Sequence, residues 1–520
     1  MSALPLHSLL VGLRGRQAGF AAVALGALSA LALPPLHVLP VLLIAVPGLL
    51  ALLEGAPTLK QAAWRGFWFG FAHHLLGLYW VTEAVLVEAA RYWWLVPLAV
   101  PALAAVLAPF IAAACALARM APAGWPRVLA LAGAWVLMDL LRQFVGTGFP
   151  WNPWGADWAI PGPVGDVLIQ PAAWIGTPGL TLATLLLAAT PVFGLRGMAS
   201  GAIGLAAWAG VGALRLSAPP PRPPGLVAVI VQGNVPEGQK HDMRQAVAIF
   251  DRYLALTREG LAHAGIAFPN AKPVVIWPES SSPFALANDV GARAALAEAA
   301  GGVPVLAGTV RFDGLGRPSN SLVAVTGPAA PEWIYDKWHL VPFGEYAPLW
   351  VPMAVQLVPG GGFVPGPGPA TLHVPGLPPA GALICYEVVF PAQVVNGQDR
   401  PDWMVNITND AWFGNSAGPR QHLAAARLRA VEEGLPLVRA ANTGISAVFD
   451  PYGREQARLG LDRTGTLTAA LPGHLPPPPF ARFGLAVPAL LAALCLGTGL
   501  YRRQGRVPAR EIIHSRREKN

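Results

Sequence analysis

Eight apolar stretches, each close to the roughly 20 residues a helix needs to cross a bilayer, restrict this chain more than any other feature. Seven fall at 18–35, 37–54, 64–83, 94–117, 125–142, 171–194 and 198–215, and the eighth stands alone at 482–501. Hydrophobic residues make up 54% of the 520 and charged residues only 12%, too apolar a balance for an ordinary soluble globule. The pattern predicts a polytopic α-helical membrane domain of about eight spans. The first stretch reads as a retained span, because further spans follow it with no clear small-residue cleavage site. Pro34, Pro35 and Pro40 separate it from the second. The aromatic, Pro/Gly-rich run at 143–170 reads as an irregular loop at the interface, where Trp is favoured.

Positive charge sets the expected orientation. Arg14 and Arg16 precede the first stretch, Lys60 and Arg65 lie between the second and third, Arg119 and Arg127 between the fourth and fifth, and Arg196 between the sixth and seventh. With the basic tail at 502–520 they share one side, which should be cytoplasmic. The net charge of +8 is thereby assigned to membrane topology rather than to nucleic acid, for which no groove of interleaved aromatic and basic residues is present. Three cysteines make no disulfide framework; Cys115 and Cys495 sit in apolar stretches and read as packing residues.

The expected layout is a membrane domain over 1–216, a Pro-rich linker at 217–225, a soluble domain over 226–475 on the periplasmic side, and the last span at 482–501. Within the soluble block, β-rich runs recur at 226–234, 273–280, 303–310, 321–327, 381–387, 403–410, 435–442 and 445–451. Helical patterns at 243–264, 289–300 and 419–433 interleave with them. Continuous apolar strands alternating with helices predict an α/β domain whose sheets are covered by helices.

Three strand ends carry reactive groups. Glu279 follows "VVIWP", Lys337 follows "EWIYD" with Glu345 eight residues later, and Cys385 follows "GALI" with Glu387 close behind. Separations of 58 and 48 residues mean that only the fold can unite Glu279, Lys337 and Cys385. A free thiol is mostly protonated at neutral pH, since its pKa is about 8.5. A carboxylate can remove that proton as attack begins, and a lysine can stabilise the oxyanion that forms. Taken singly, each has a plain reading as packing, helix cap or surface ion pair. His73 and His74 are adjacent and point different ways on a helix, which favours packing or a hydrogen bond over a metal site. Asp139 and Arg142 suit either a functional role or a local pair, and the "NIT" at 406–408 lies in a predicted strand and is discounted as a glycosylation site.

"WPES", "YDKWHLVPFGEYAP" and "ICYE" resemble the Glu-Lys-Cys motifs of the nitrilase (carbon–nitrogen hydrolase) superfamily. "VQGNVPEGQK" at 231–240, the run at 406–432, "PLVRAANTGISAVFDPYGR" at 436–454, "FWFGFAHHLLGLYWV" and "LLRQFVGTGFPW" resemble one branch of it, the apolipoprotein N-acyltransferases. The resemblance implies a nitrilase-like αββα sandwich with Glu279 as general base, Lys337 as oxyanion stabiliser and Cys385 as nucleophile. Glu345, Tyr386 and Glu387 match supporting active-site positions. It further implies a bacterial inner-membrane enzyme, free of metal or organic cofactor. Its donor would be a phospholipid, typically phosphatidylethanolamine, and its acceptor a diacylglyceryl apolipoprotein. Where relatives carry a tryptophan this chain has His241. Together with Trp151, Trp412 and Phe413, His241 is a candidate substrate-binding residue. A membrane-tethered amidase and an inactive scaffold are the competing functions; the number of apolar stretches and the complete triad weigh against them.

Overall fold

Each of the seven N-terminal apolar stretches contains a helix. The computed structural model describes residues 5–87, 89–219, 221–240, 242–347 and 362–501, so His241 and the basic tail lie outside the described residues. The helices are α1 (Gly15–Ser29), α2 (Leu42–Glu54), α3 (Leu59–Gly77), α4 (Val96–Met120), α5 (Trp125–Arg142), α6 (Ala172–Ala188) and α7 (Gly194–Leu216). Among the described residues two helical runs, Trp93–Met120 and Ala172–Leu216, are long and apolar enough to cross a membrane. The rest fall short for identifiable reasons. The 13 residues of α2 are too few, and α3 and α5 carry buried Arg65, His73, His74, Arg127 and Arg142.

The run between α5 and α6 is largely irregular, as expected, but more ordered and more buried than a plain loop. It holds a 3-10 turn at Trp154–Trp158 and a short helix at Pro163–Leu168, and Trp151, Trp154 and Trp158 are all buried. The indole of Trp158 donates to Thr184 Oγ1 at 2.7 Å. Packing against α6 and against the strand-rich block at 226–475 holds these rings. His73 Nδ1 lies 2.9 Å from Ser29 Oγ, and Asp139 pairs with Arg142 at 3.0 Å.

Residues 226–475 form two six-stranded sheets. The first runs in the order β12 (Gly465–Ala470), β1 (Leu226–Gln232), β2 (Lys272–Ile276), β3 (Val305–Phe312), β4 (Pro318–Val325) and β5 (Trp333–Asp336). The second runs β11 (Glu455–Leu459), β10 (Ser446–Phe449), β9 (Leu437–Ala441), β8 (Trp403–Thr408), β7 (Ala380–Ile384) and β6 (Thr371–Leu372). Strands β1, β2 and β3 are mutually parallel, as are β7, β8 and β9. All eight predicted strands are present, joined by β5, β6, β11 and β12.

Period-two alternation explains the layering. Along β1, Leu226, Ala228 and Ile230 pack between the sheets against Ala382, Ile384, Val405 and Val438. Val227, Val229 and Val231 face the other way, onto α8 (Ala246–Ala267) and α9 (Val290–Ala300). The second sheet is covered by α10 (Gly418–Glu433) and, beyond it, by the N-terminal helices. With both faces buried, these strands read as unbroken apolar runs.

Helix α10 is the fastening between the halves, and its bonds are polar. Gln421 Oε1 accepts from the indoles of Trp80 and Trp151, both at 2.9 Å, while its Nε2 donates to the carbonyls of Gly77 and Pro34. Arg427 donates to Asp166 and to the carbonyls of Ala159 and Ile160. Glu432 accepts from the amide and hydroxyl of Thr177 at 2.6 and 2.7 Å. The chain closes with α11 (Ala486–Tyr501), which packs on α5 so closely that a Cβ on Gly133 would lie 2.3 Å from the Ala492 carbonyl oxygen. Small residues at such crossings let backbones approach.

Candidate active site

The three strand ends meet at one rim of the sandwich. Glu279 lies three residues past β2, where a Cβ on Gly308 of neighbouring β3 would sit 2.2 Å from the Pro278 carbonyl oxygen and 2.6 Å from the Glu279 α-carbon. Glycine there is what allows the turn to fold over β3. Lys337 follows β5, and its amide donates to the Asn320 carbonyl on β4 at 2.8 Å. Cys385 immediately follows β7 and opens a 3-10 turn with φ +51°, a left-handed conformation rare outside glycine.

Charge is balanced around the lysine. Its Nζ donates to Glu279 Oε1 at 3.1 Å and to Glu345 at 2.9 Å, with only 1% of the lysine exposed. Burial alone would lower the lysine pKa; Glu279 and Glu345 outweigh it and hold the ammonium well above its usual range. Asn320 Nδ2 bridges the two carboxylates at 2.7 and 2.8 Å, and the Asn409 amide takes Glu279 Oε2 at 2.8 Å. Glu345 Oε2 in turn accepts the Val341 amide at 2.8 Å.

Cys385 is buried. Its pKa is pushed up, first by burial and then by Glu279, with Lys337 opposing. The resting species is therefore the thiol, and any attack by its sulfur would need a base to take the proton. Glu387 anchors the turn from behind. Its Oε2 accepts the Ile384 amide at 2.6 Å and the Tyr335 hydroxyl at 2.9 Å, while Oε1 accepts the Trp338 amide at 2.7 Å. Burial raises its pKa to about 7 against the pull of those donors and of Lys337.

Tyr386 points away from the triad, its hydroxyl donating to the Gly148 carbonyl at 2.9 Å and its ring stacked over Trp151 with centroids 6.3 Å apart. Phe413 packs edge-on against Trp80 at 4.6 Å and near Trp151 at 6.0 Å, forming one aromatic wall between the halves. Trp412 is half-buried on the same 3-10 turn.

Sequence reasoning passed over a second buried network beneath the thiol. His422 Nε2 lies 3.1 Å from the Cys385 carbonyl oxygen, and its Nδ1 lies 2.9 Å from Asp410. Arg439 donates to Asp410 at 2.8 Å. Burial would raise the Asp410 pKa, but Arg439 and His422 bring it down to about 2. The available clue was "QH" inside an otherwise helical run, together with Asn320 and Asn409 at strand positions that apolar patterning does not explain. Among the described residues no cluster of His, Cys, Asp and Glu has a metal-binding arrangement.

Comparison with known proteins agrees across the chain. The model of the apolipoprotein N-acyltransferase N-terminal domain matches residues 25–190, and the carbon–nitrogen hydrolase model matches residues 238–475. The apolipoprotein N-acyltransferase of Rhodopseudomonas palustris is 39% identical, covering 93% of this chain and 95% of the relative. That of Bradyrhizobium diazoefficiens is also 39% identical, over 94% of this chain and 96% of the relative. Among solved structures, an amidase from Nesterenkonia sp. aligns with 49% of this chain and 94% of its own at 19% identity and a TM-score of 0.35. The chain is an acyltransferase and belongs to the apolipoprotein N-acyltransferase family.

Proposed function

We propose that this enzyme transfers a fatty acyl chain from a phospholipid to the α-amino group of the diacylglyceryl-cysteine that begins an apolipoprotein, by way of a thioester on Cys385. The observation that carries the reading is the Lys337 ammonium clasped between Glu279 and Glu345 beside a buried, strained thiol. In the first half-reaction the Glu279 carboxylate takes the thiol proton as sulfur bonds to the ester carbonyl carbon. Lys337 balances the oxyanion. The carbon–oxygen bond to glycerol then breaks, Glu279 returns the proton to that oxygen, and the lysophospholipid leaves. In the second, the acceptor amine attacks the thioester, Glu279 takes a proton from nitrogen, the carbon–sulfur bond breaks and the proton restores the thiol.

The layout supporting this chemistry is a multi-pass inner-membrane protein with residues 1–216 and 482–501 as its membrane part, 217–225 as linker, 226–475 as the periplasmic catalytic domain and 502–520 as a cytoplasmic tail. A lipid chain drawn into water costs about 0.8 kcal/mol per methylene, so a donor such as phosphatidylethanolamine is best attacked at the membrane surface. Trp151, Trp412 and Phe413 are assigned to the acyl-chain wall, and His241 to donor preference.

Incubation with phospholipid alone followed by intact-protein mass spectrometry tests the scheme. The expected product is one acyl group added on Cys385, lost in Cys385→Ala along with all transfer. Active enzyme without the adduct, or full transfer by Cys385→Ala, would overturn it.

A further inference from the structure

Lys240 is a second cation at this site and is differently placed from the first. Its side chain is 9% exposed, and among the described residues its Nζ makes no hydrogen bond. The Glu237 carboxylate lies 3.8 Å away, an ion pair beyond hydrogen-bonding distance. Glu237 Oε2 itself accepts from Asn409 Nδ2 at 2.5 Å, and the Asn409 amide donates to Glu279. Lys240 is thus joined to the base through Glu237 and Asn409. Burial lowers its pKa, while Glu237 and Glu279 are near enough to oppose that.

The two lysines differ in what they have left to give. Lys337 has donors committed to Glu279 and Glu345. Lys240 has three N–H groups and, among the described residues, no acceptor within hydrogen-bonding distance. The carboxylate nearest Lys240, Glu237, is 3.8 Å away and is itself hydrogen-bonded by Asn409. An ammonium buried without an acceptor is costly unless a ligand supplies one. The donor proposed above carries a phosphodiester, an ionised group that a lysine recognises as a compact point charge.

We propose that Lys240 binds the phosphodiester of the phospholipid donor while its ester carbonyl lies at Cys385. This rests on the thioester reading above. Lys240 is therefore a specificity-determining residue, selecting acyl donors that carry a phosphate.

The full chain in detergent is assayed for acyl addition to Cys385 by intact mass, with phosphatidylethanolamine, phosphatidylglycerol and the uncharged ester p-nitrophenyl palmitate. The expected result for Lys240→Met is a fall of about 10- to 100-fold in kcat/KM for both phospholipids relative to the uncharged ester, carried mainly by KM. Lys240→Arg should recover most of that preference. An equal loss on all three donors would overturn the proposal, pointing to a role on the thiol or the fold, and so would an unchanged preference. Failure of the unaltered enzyme to form an adduct with any donor would sink the thioester scheme instead, and this inference with it.

Discussion

The Glu387 carboxylate accepts the Trp338 amide at 2.7 Å, so the turn that opens with Cys385 and the loop that opens with Lys337 share one acceptor. A single side chain therefore sets the spacing between the assigned nucleophile and its oxyanion partner. Glu387→Gln turns one oxygen into a donor facing donors. Each N–H or O–H left unpaired in the interior costs about 1–3 kcal/mol. Thioester formation should fall roughly 100-fold or more through displacement of Lys337, with a lowered Tm on thermal unfolding.

The same residue should leave a mark on pH dependence. Its pKa is raised from 4.5 to about 7 in the folded protein, chiefly by burial. The folded state then holds a proton that the unfolded chain releases between those values, so stability falls as pH rises from about 4.5 to about 7 and levels off above. The full effect approaches about 3 kcal/mol. Comparing denaturation of the unaltered protein with Glu387→Gln across that range should remove this slope.

Lys337→Met removes the cation between two buried carboxylates. Breaking a buried pair in this way costs about 3–5 kcal/mol, and acylation of Cys385 should drop beyond about 1000-fold. Adding Glu345→Gln should return part of the lost Tm but none of the activity, because the charge imbalance is relieved while the oxyanion partner stays absent.

Gly308→Ala tests the turn that presents Glu279. The added methyl meets backbone, the Pro278 carbonyl at 2.2 Å, so it cannot be accommodated by a rotamer change. A stability loss of about 1–3 kcal/mol is expected, with a loss of acyl-transfer rate larger than that of a control Gly314→Ala, where a methyl meets nothing within 4 Å.

Gln421→Leu examines the fastening. Two indoles and two carbonyls lose their partner at once. Limited proteolysis should become faster between α10 and the N-terminal helices, and the tryptophan emission should change as Trp80 and Trp151 lose their fixed surroundings.

Strands buried on both faces announced themselves as continuous apolar runs, which is why β1 to β4 and β7 to β10 were legible. The half-exposed edges were not. In β11 only Ala457 and Leu459 are partly covered, so "EQARL" carries no apolar run to read, and β6 is two residues long. Glu279, Lys337 and Cys385 could be named because each closely follows a strand, whereas Asn320 inside β4, Asn409 just past β8 and Lys240 on a short helical turn reach the site only through the fold. Helix α10 was legible at 419–433, but not its role as fastening, because Gln421, Arg427, Arg429 and Glu432 find polar partners more than 250 residues away. Helices α3 and α5 interrupt their apolar runs with Arg65, His73, His74, Arg127 and Arg142, all buried, which is why length and hydropathy alone do not mark them as spans.

The left-handed backbone at Cys385 narrows which chemistries this scaffold could ever adopt. Branching at Cβ makes that geometry prohibitive, so threonine is shut out as a replacement and serine is the only hydroxyl residue of tolerable shape. Redesign toward ester-linked intermediates must accept serine's far weaker acidity or else rebuild the corner itself.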